Sequence, residues 1–228
     1  MSELLAERDG EILVLTLNRA GKANALNEAL QDALVERLLN AKESTTAVVL
    51  AAAGEPVFSA GADLKEFAEL ERGAAARKRR TLLKRTLEAI LAFPKPLVAA
   101  VRGKALGAGC MIALLADELV MAEGSELGLP EIKHGIPTPV GYAIVAARAG
   151  MAVARRMVQR GVSVAAKEAR FCGLADEIVA TGKLKGMALE RARALAAAPG
   201  ASFAANKAFM NGPLRAALKA AFAEADRL

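Results

Sequence analysis

Two kinds of apolar run alternate along the chain. Short, nearly unbroken ones at 12–17, 47–53, 97–101 and 117–122 predict strands covered on both faces. Longer segments have their apolar positions at helical spacing: Leu30, Leu34 and Leu38 mark a helix over about 27–41, and a charged helix is expected over 69–92, stopped by Phe93-Pro94-Lys95-Pro96. Asp9-Gly10 between two apolar stretches is a hairpin signal. Further on, the pattern predicts a strand at 126–129, helices at 142–148 and 152–160 split by Gly150, a helix at 164–169, a strand near 173–179 and a helix at 184–198. Two Ala-rich helices broken at Gly212-Pro213 finish the chain. Strands alternating with helices argue for an α/β architecture with a mainly helical C-terminal portion.

Two of these strands end in loops of small residues that turn towards helices. Phe58-Ser59-Ala60-Gly61-Ala62-Asp63-Leu64-Lys65-Glu66 follows the strand at 47–53, and Gly103-Lys104-Ala105-Leu106-Gly107-Ala108-Gly109 follows the one at 97–101. Backbone N–H groups left unpaired where a helix begins suit a developing negative charge, and small side chains let a ligand approach the backbone. Soon after comes Glu131, a carboxylate among apolar residues, prolines and glycines. A base beside an oxyanion site is the chemistry these stretches suggest.

At 228 residues the chain fits one domain with a real core, and no linker divides it. Hydrophobic residues make up 54%, yet no run approaches the roughly 20 uncharged apolar residues of a membrane span. The start, Met1 to Glu11, is acidic and has no long apolar segment, so a cytoplasmic protein is expected. Cys110 and Cys172 have no metal-ligand spacing and read as buried free thiols; no metal is expected. The net charge of +6 comes with basic clusters at Arg77-Lys78-Arg79-Arg80, Lys84-Arg85 and Arg155-Arg156. Such clusters serve nucleic acid, an acidic membrane surface or a phosphate-bearing small molecule, or are solvated helix faces. Aromatics at 4%, with no Trp, leave few platforms for stacking bases, so nucleic acid is not expected.

The ordered set LTLNRAGKANALN, FSAGADLKEF, KPLVAAVRGKALGAGC, LGLPEIKHGI and ARRMVQRGVSVAAKEARFCGLADEIV resembles the crotonase (enoyl-CoA hydratase/isomerase) superfamily over about residues 5–210. The resemblance implies a spiral of ββα repeats over 1–182 and a helical region over 183–228 that packs in a homotrimer, often as a homohexamer. It implies an acyl-CoA thioester substrate, with coenzyme A part of that substrate and no separate cofactor. By the same resemblance the backbone N–H groups of Ala62 and Ala108 form an oxyanion hole. The position of Ala108 is usually Gly in the family, but only its N–H is needed. The CoA nucleotide would lie along Lys22 and Ala23 and along Ala60, Gly61, Ala62, Asp63 and Leu64. Lys22 and Lys65 would neutralise phosphate, and Lys207 would reach a neighbouring subunit's CoA.

Hydratases of this family use two glutamates. Here the first position holds Met111 and the second holds Glu131. Two carboxylates can hold and activate a water; with Met111, one of its partners is gone. The pattern instead resembles the Δ3,Δ2-enoyl-CoA isomerases, in which one Glu shuttles a proton along one face of a dienolate. Desolvation by apolar neighbours would raise the Glu131 pKa into a useful range. The alternatives are a hydratase whose second acid is Glu66 or Glu69, on the helix after the Ala60–Asp63 loop, another enolate chemistry of the same superfamily, or a non-catalytic, RNA-binding homologue. His134 is the only histidine, and no nucleophile elbow or serine setting accompanies it.

Overall fold

The computed structural model describes residues 2–227. β1 (Leu4–Asp9) and β2 (Ile12–Leu17) form the antiparallel hairpin expected at Asp9-Gly10. α1 (Glu28–Ser44) follows, its Asn27 cap accepting from the Leu30 N–H at 3.1 Å. The chain then runs β3 (Ala47–Ala52), β4 (Val57–Ser59), α2 (Arg72–Ala92), β5 (Leu97–Val101), β6 (Lys104–Leu106), α3 (Ala108–Leu114), β7 (Glu118–Ala122), β8 (Glu126–Gly128) and α4 (Pro139–Arg160). It ends with β9 (Ser163–Ala165), α5 (Ala166–Phe171), β10 (Glu177–Val179), α6 (Leu184–Ala196), α7 (Gly200–Met210) and α8 (Gly212–Ala225).

The unit of two strands and a helix recurs as β3-β4-α2, β5-β6-α3 and β7-β8-α4, which is the expected spiral of ββα repeats. The first strand of each unit joins a six-stranded sheet ordered β1-β2-β3-β5-β7-β10, parallel from β2 onwards. The second joins a four-stranded sheet ordered β4-β6-β8-β9, in which β4, β6 and β8 are parallel. Alternation along the large sheet explains the unbroken apolar runs. Leu13, Leu15 and Leu17 point into the main core with Leu30, Leu34 and Leu38 of α1, while Ile12 and Val14 face Leu184, Ala188 and Ala192 of α6.

Two local readings are corrected and a third holds. The loop at 60–66 does not run into a helix: residues 64–70 are turns, Phe67 sits at φ 64°, and α2 begins only at Arg72, capped by Glu71 accepting from the Gly73 and Ala74 N–H groups. Glu66 and Glu69 therefore precede that helix. The helices expected at 142–148 and 152–160 lie within α4 and are separated where expected, at Gly150, whose φ of 84° and ψ of 164° are non-helical. The helix expected at 164–169 is strand β9 followed by α5.

The basic clusters lie on α2 and α4, and four of their eight residues pair with acids of the same chain: Lys78 with Glu28 at 3.1 Å, Arg80 with Asp226 at 3.0 Å, Arg85 with Asp32 and Arg156 with Glu168. Among the described residues no helix is long and apolar enough to cross a membrane.

Candidate active site

Three loops meet at one end of the small sheet, because each continues the C-terminal end of one of its adjacent parallel strands. β4 runs into Ala60–Leu64, β6 into Gly107 and α3, and β8 into Leu129-Pro130-Glu131. Neighbouring strands lie about 4.8 Å apart, so the loops emerge side by side. Crevices at the carboxyl ends of parallel strands are a recurrent place for ligands.

The first two loops touch through glycine. A methyl group on Gly61 would fall 2.8 Å from the Leu106 carbonyl oxygen and 3.2 Å from the Ala108 nitrogen, so only glycine permits the approach, and its φ of 94° points the same way. Gly107, at φ 52°, stands between Gly61 and the third loop: a methyl there would lie 3.1 Å from Glu131 Oε1. The Gly107 N–H donates to the Gly128 carbonyl at 2.9 Å, which ties the second loop to the third. Gly107 thus stands against both Gly61 and Glu131.

The two expected oxyanion donors have well-defined peptide planes. In a trans peptide the N–H points opposite to the preceding carbonyl. The Gly61 carbonyl accepts from the Leu26 N–H at 2.8 Å, so the Ala62 N–H is directed away from that segment. The Gly107 carbonyl accepts from the Met111 N–H at 3.0 Å as the first bond of α3, so the Ala108 N–H points out of the helix start. Among the described residues neither N–H has an acceptor.

Glu131 opens a short 3-10 turn, Glu131–His134, behind Pro130. Its Oε2 is buried and, among the described residues, has no hydrogen-bond partner. Burial pushes its carboxyl up to about 7, a shift that its own backbone N–H opposes in part. The neighbouring Cys110 thiol is buried; burial first, and then the Glu131 charge, hold it far above its ordinary range, so it is inert as a nucleophile. Met111 is buried with its Cε 3.0 Å from where a methyl on Gly141 of α4 would stand, beside Leu129 and the Thr138 methyl.

The other carboxylates considered for a second acid are placed elsewhere. Both oxygens of Glu66 accept from the Glu28 N–H at 3.0 Å, capping α1, and Glu69 is exposed. His134 is exposed. Ser59 is fully buried; its hydroxyl donates to the Asn24 carbonyl at 2.8 Å and accepts from the Gly61 N–H at 3.2 Å, which supports the loop. Of the positions expected to handle CoA, Lys22 is exposed and Ala23 takes a left-handed conformation beside the Ala60 N–H, which donates to its carbonyl at 2.9 Å. Leu64 and Lys65 are exposed next to them. Lys207 is not available to a neighbour: it is buried, donating to Asp117 Oδ2 at 2.6 Å and to the Lys95 carbonyl at 3.0 Å.

The sequence reading passed over Arg19 and Asn24. Asn24, fully buried at φ 49°, accepts from the Arg19 N–H at 2.8 Å and donates to the Ala53 and Val57 carbonyls, so it stitches the polar loop to β3 and β4. The available signal was an asparagine closing a loop, since Asn tolerates the left-handed region.

The family model for enoyl-CoA hydratase/isomerase matches residues 7–228. The chain belongs to the enoyl-CoA hydratase/isomerase family. It is 38% identical over 230 residues to 2,3-dehydroadipyl-CoA hydratase of Escherichia coli, covering 100% of this chain and 89% of that one. It is 35% identical to an enoyl-CoA isomerase/hydratase of Zymoseptoria tritici over 86% of this chain and 68% of the relative. A solved enoyl-CoA hydratase of Mycobacterium smegmatis superposes with a TM-score of 0.87 at 31% identity, covering 99% of this chain and 88% of the other. Hydratases and isomerases both stand among the family relatives, so membership identifies the enzyme class and leaves the choice of reaction to the site.

Proposed function

We propose that this family enzyme acts on an acyl-CoA thioester as a Δ3,Δ2-enoyl-CoA isomerase, with Glu131 as its single proton shuttle. The observation behind this reading is the Glu131 carboxylate set against Gly107, its Oε2 buried and without a partner among the described residues and its pKa raised to about 7, while position 111, where the resemblance puts a second acid, holds a buried Met. In the proposed step the ionised Glu131 takes a proton from the carbon next to the thioester carbonyl of a 3-enoyl-CoA. The electron pair delocalises onto the carbonyl oxygen as a dienolate, held by the N–H groups of Ala62 and Ala108. Donors of this type contribute about 3 kcal/mol each. The protonated Glu131 then returns its proton to the γ-carbon, the double bond moves into conjugation, and the carboxylate is regenerated. No water takes part, which suits a buried methionine at position 111 in place of a second acid.

In this reading Lys22, Ala23, Ala60, Gly61, Asp63 and Leu64 line the path of the CoA moiety, and Lys22 and Lys65 meet its phosphates. Phe171 and Phe209, 94% and 85% exposed, support assembly as a trimer or a dimer of trimers, since large apolar side chains left bare favour burial between copies.

The test is incubation of the purified protein with 3-hexenoyl-CoA in deuterated water, with products followed by chromatography and mass. Rapid formation of 2-hexenoyl-CoA with little 3-hydroxyacyl-CoA is expected. Dominant hydroxyacyl product, or hydration of 2-hexenoyl-CoA faster than the 3-enoyl isomer reacts, would make the protein a hydratase with a different second acid.

A further inference from the structure

The Ala62 peptide is held by very little regular structure. Its segment pairs with the chain at Leu26 through an isolated bridge, in which Leu26 N–H donates to Gly61 O at 2.8 Å and Asp63 N–H donates to Leu26 O at 3.2 Å. With no ladder on either side, these two bonds alone leave the peptide between them without the cooperative support that a strand pairing gives. Yet an oxyanion donor works only if its N–H is aimed before the charge develops.

Arg19 supplies the missing constraint. Its side chain is 6% exposed. Nη1 and Nη2 both donate to Asp63 Oδ2 at 3.1 Å, Nη1 also donates to the Ala25 carbonyl, and Nε donates to Glu3 Oε1 at 2.9 Å. One planar group thus binds the residue after Ala62, the residue before Leu26 and the edge of β1. The other oxygen of Asp63 accepts from the Lys65 N–H at 3.2 Å, so its carboxylate is oriented from both sides. The Arg19 backbone is fixed too, by Asn24 Oδ1 and by the Asn24 N–H, which donates to its carbonyl at 2.9 Å. A buried ion pair adds little net stability because desolvation offsets the attraction. What a guanidinium fork adds is geometry, and lysine's single ammonium cannot reproduce it.

We propose that Arg19 is a positioning residue of this enzyme, its guanidinium clamping Asp63 to the Ala25 segment so that the Ala62 N–H is held in its oxyanion-binding orientation. The role rests on Ala62 being an oxyanion donor. Arg19 touches no reacting atom in this scheme; it acts through Asp63 and the peptide beside it.

The experiment pairs turnover with a spectroscopic probe, using the full chain and the variants Arg19→Lys and Asp63→Asn. The probe is 4-dimethylaminocinnamoyl-CoA, whose conjugated carbonyl absorbs at longer wavelength when strong donors polarise it. Wild type is expected to shift the absorbance of bound probe to the red. In both variants that shift should fall by about half or more, with kcat for 3-hexenoyl-CoA down roughly tenfold or more and KM changed less than about threefold, as for an interaction made mainly in the transition state. The absorption maximum of bound probe is a property of each occupied site, so a smaller folded fraction cannot imitate its loss. Should Arg19→Lys fail to fold, Asp63→Asn, which nearly preserves shape, carries the test. Variants that keep the wild-type shift and kcat per titrated site would overturn the role. A wild-type protein with neither red shift nor turnover would overturn the oxyanion reading itself, a different result from variants that match an active wild type.

Discussion

In the proposed step, the charge that Glu131 needs to abstract a proton is opposed by the burial that raises its carboxyl. Burial lifts the carboxyl to about 7, so kcat/KM is expected to rise with pH through about 7 and then level off; a profile already flat from pH 5 would count against Glu131 as the base. The same shift has a stability consequence. Because the folded pKa lies above the ordinary value of 4.5, the native state binds more protons between the two, and stability falls as pH rises from about 4.5 to about 7. Glu131→Gln should abolish turnover and remove that slope. It should be more stable than wild type at pH 8 by on the order of 2 kcal/mol, with no such gain at pH 4, as read by denaturant titration. The close approach at Gly61 and Gly107 was legible in the sequence because only glycine permits it, and Glu131 stood out as a carboxylate among apolar residues. Arg19 was not, since its partner Asp63 lies 44 positions away and nothing local announces the pair.

Among the elements, the shortest strands matter most to the site. β4, β6 and β8 have three residues each, too few for an alternating pattern to register, and β4 and β6 read as loop, yet their parallel pairing sets the three site loops side by side. Longer elements followed their patterns closely, as in the β1–β2 hairpin and in α1. α7 is pinned by a buried group rather than by its apolar face. Lys207 sits near the Phe93 and Phe203 rings and donates to Asp117, which also accepts from the Leu97 N–H at 2.8 Å. Burial raises the Asp117 carboxyl and lowers the Lys207 ammonium even as each charge favours the other, so the pair is held at a desolvation cost. Lys207→Met leaves Asp117 buried and unmatched. It should destabilise the protein by about 3 kcal/mol at neutral pH and speed hydrogen exchange in α7 first. Unchanged stability would mean that α7 is held by other contacts.

For the whole molecule, the exposed Phe171, Phe209, Met151 and Met210 lead to an expected trimer or hexamer in sedimentation at micromolar concentration; a monomer throughout would refute that assembly. The architecture and the family were readable from the linear chain, because strand runs covered on both faces, helical spacing and two small-residue loops in order are local consequences of burial and backbone geometry. That position 131 carries a carboxylate and position 111 a methionine was readable for the same reason: each depends on which side chain stands at one position. The unavailability of Glu66, the withdrawal of Lys207 from any neighbour and the clamp of Arg19 on Asp63 followed only from the folded chain. They are pairings between distant segments, and a carboxylate or ammonium is free or engaged according to what the fold brings within hydrogen-bonding distance of it, which no local pattern encodes.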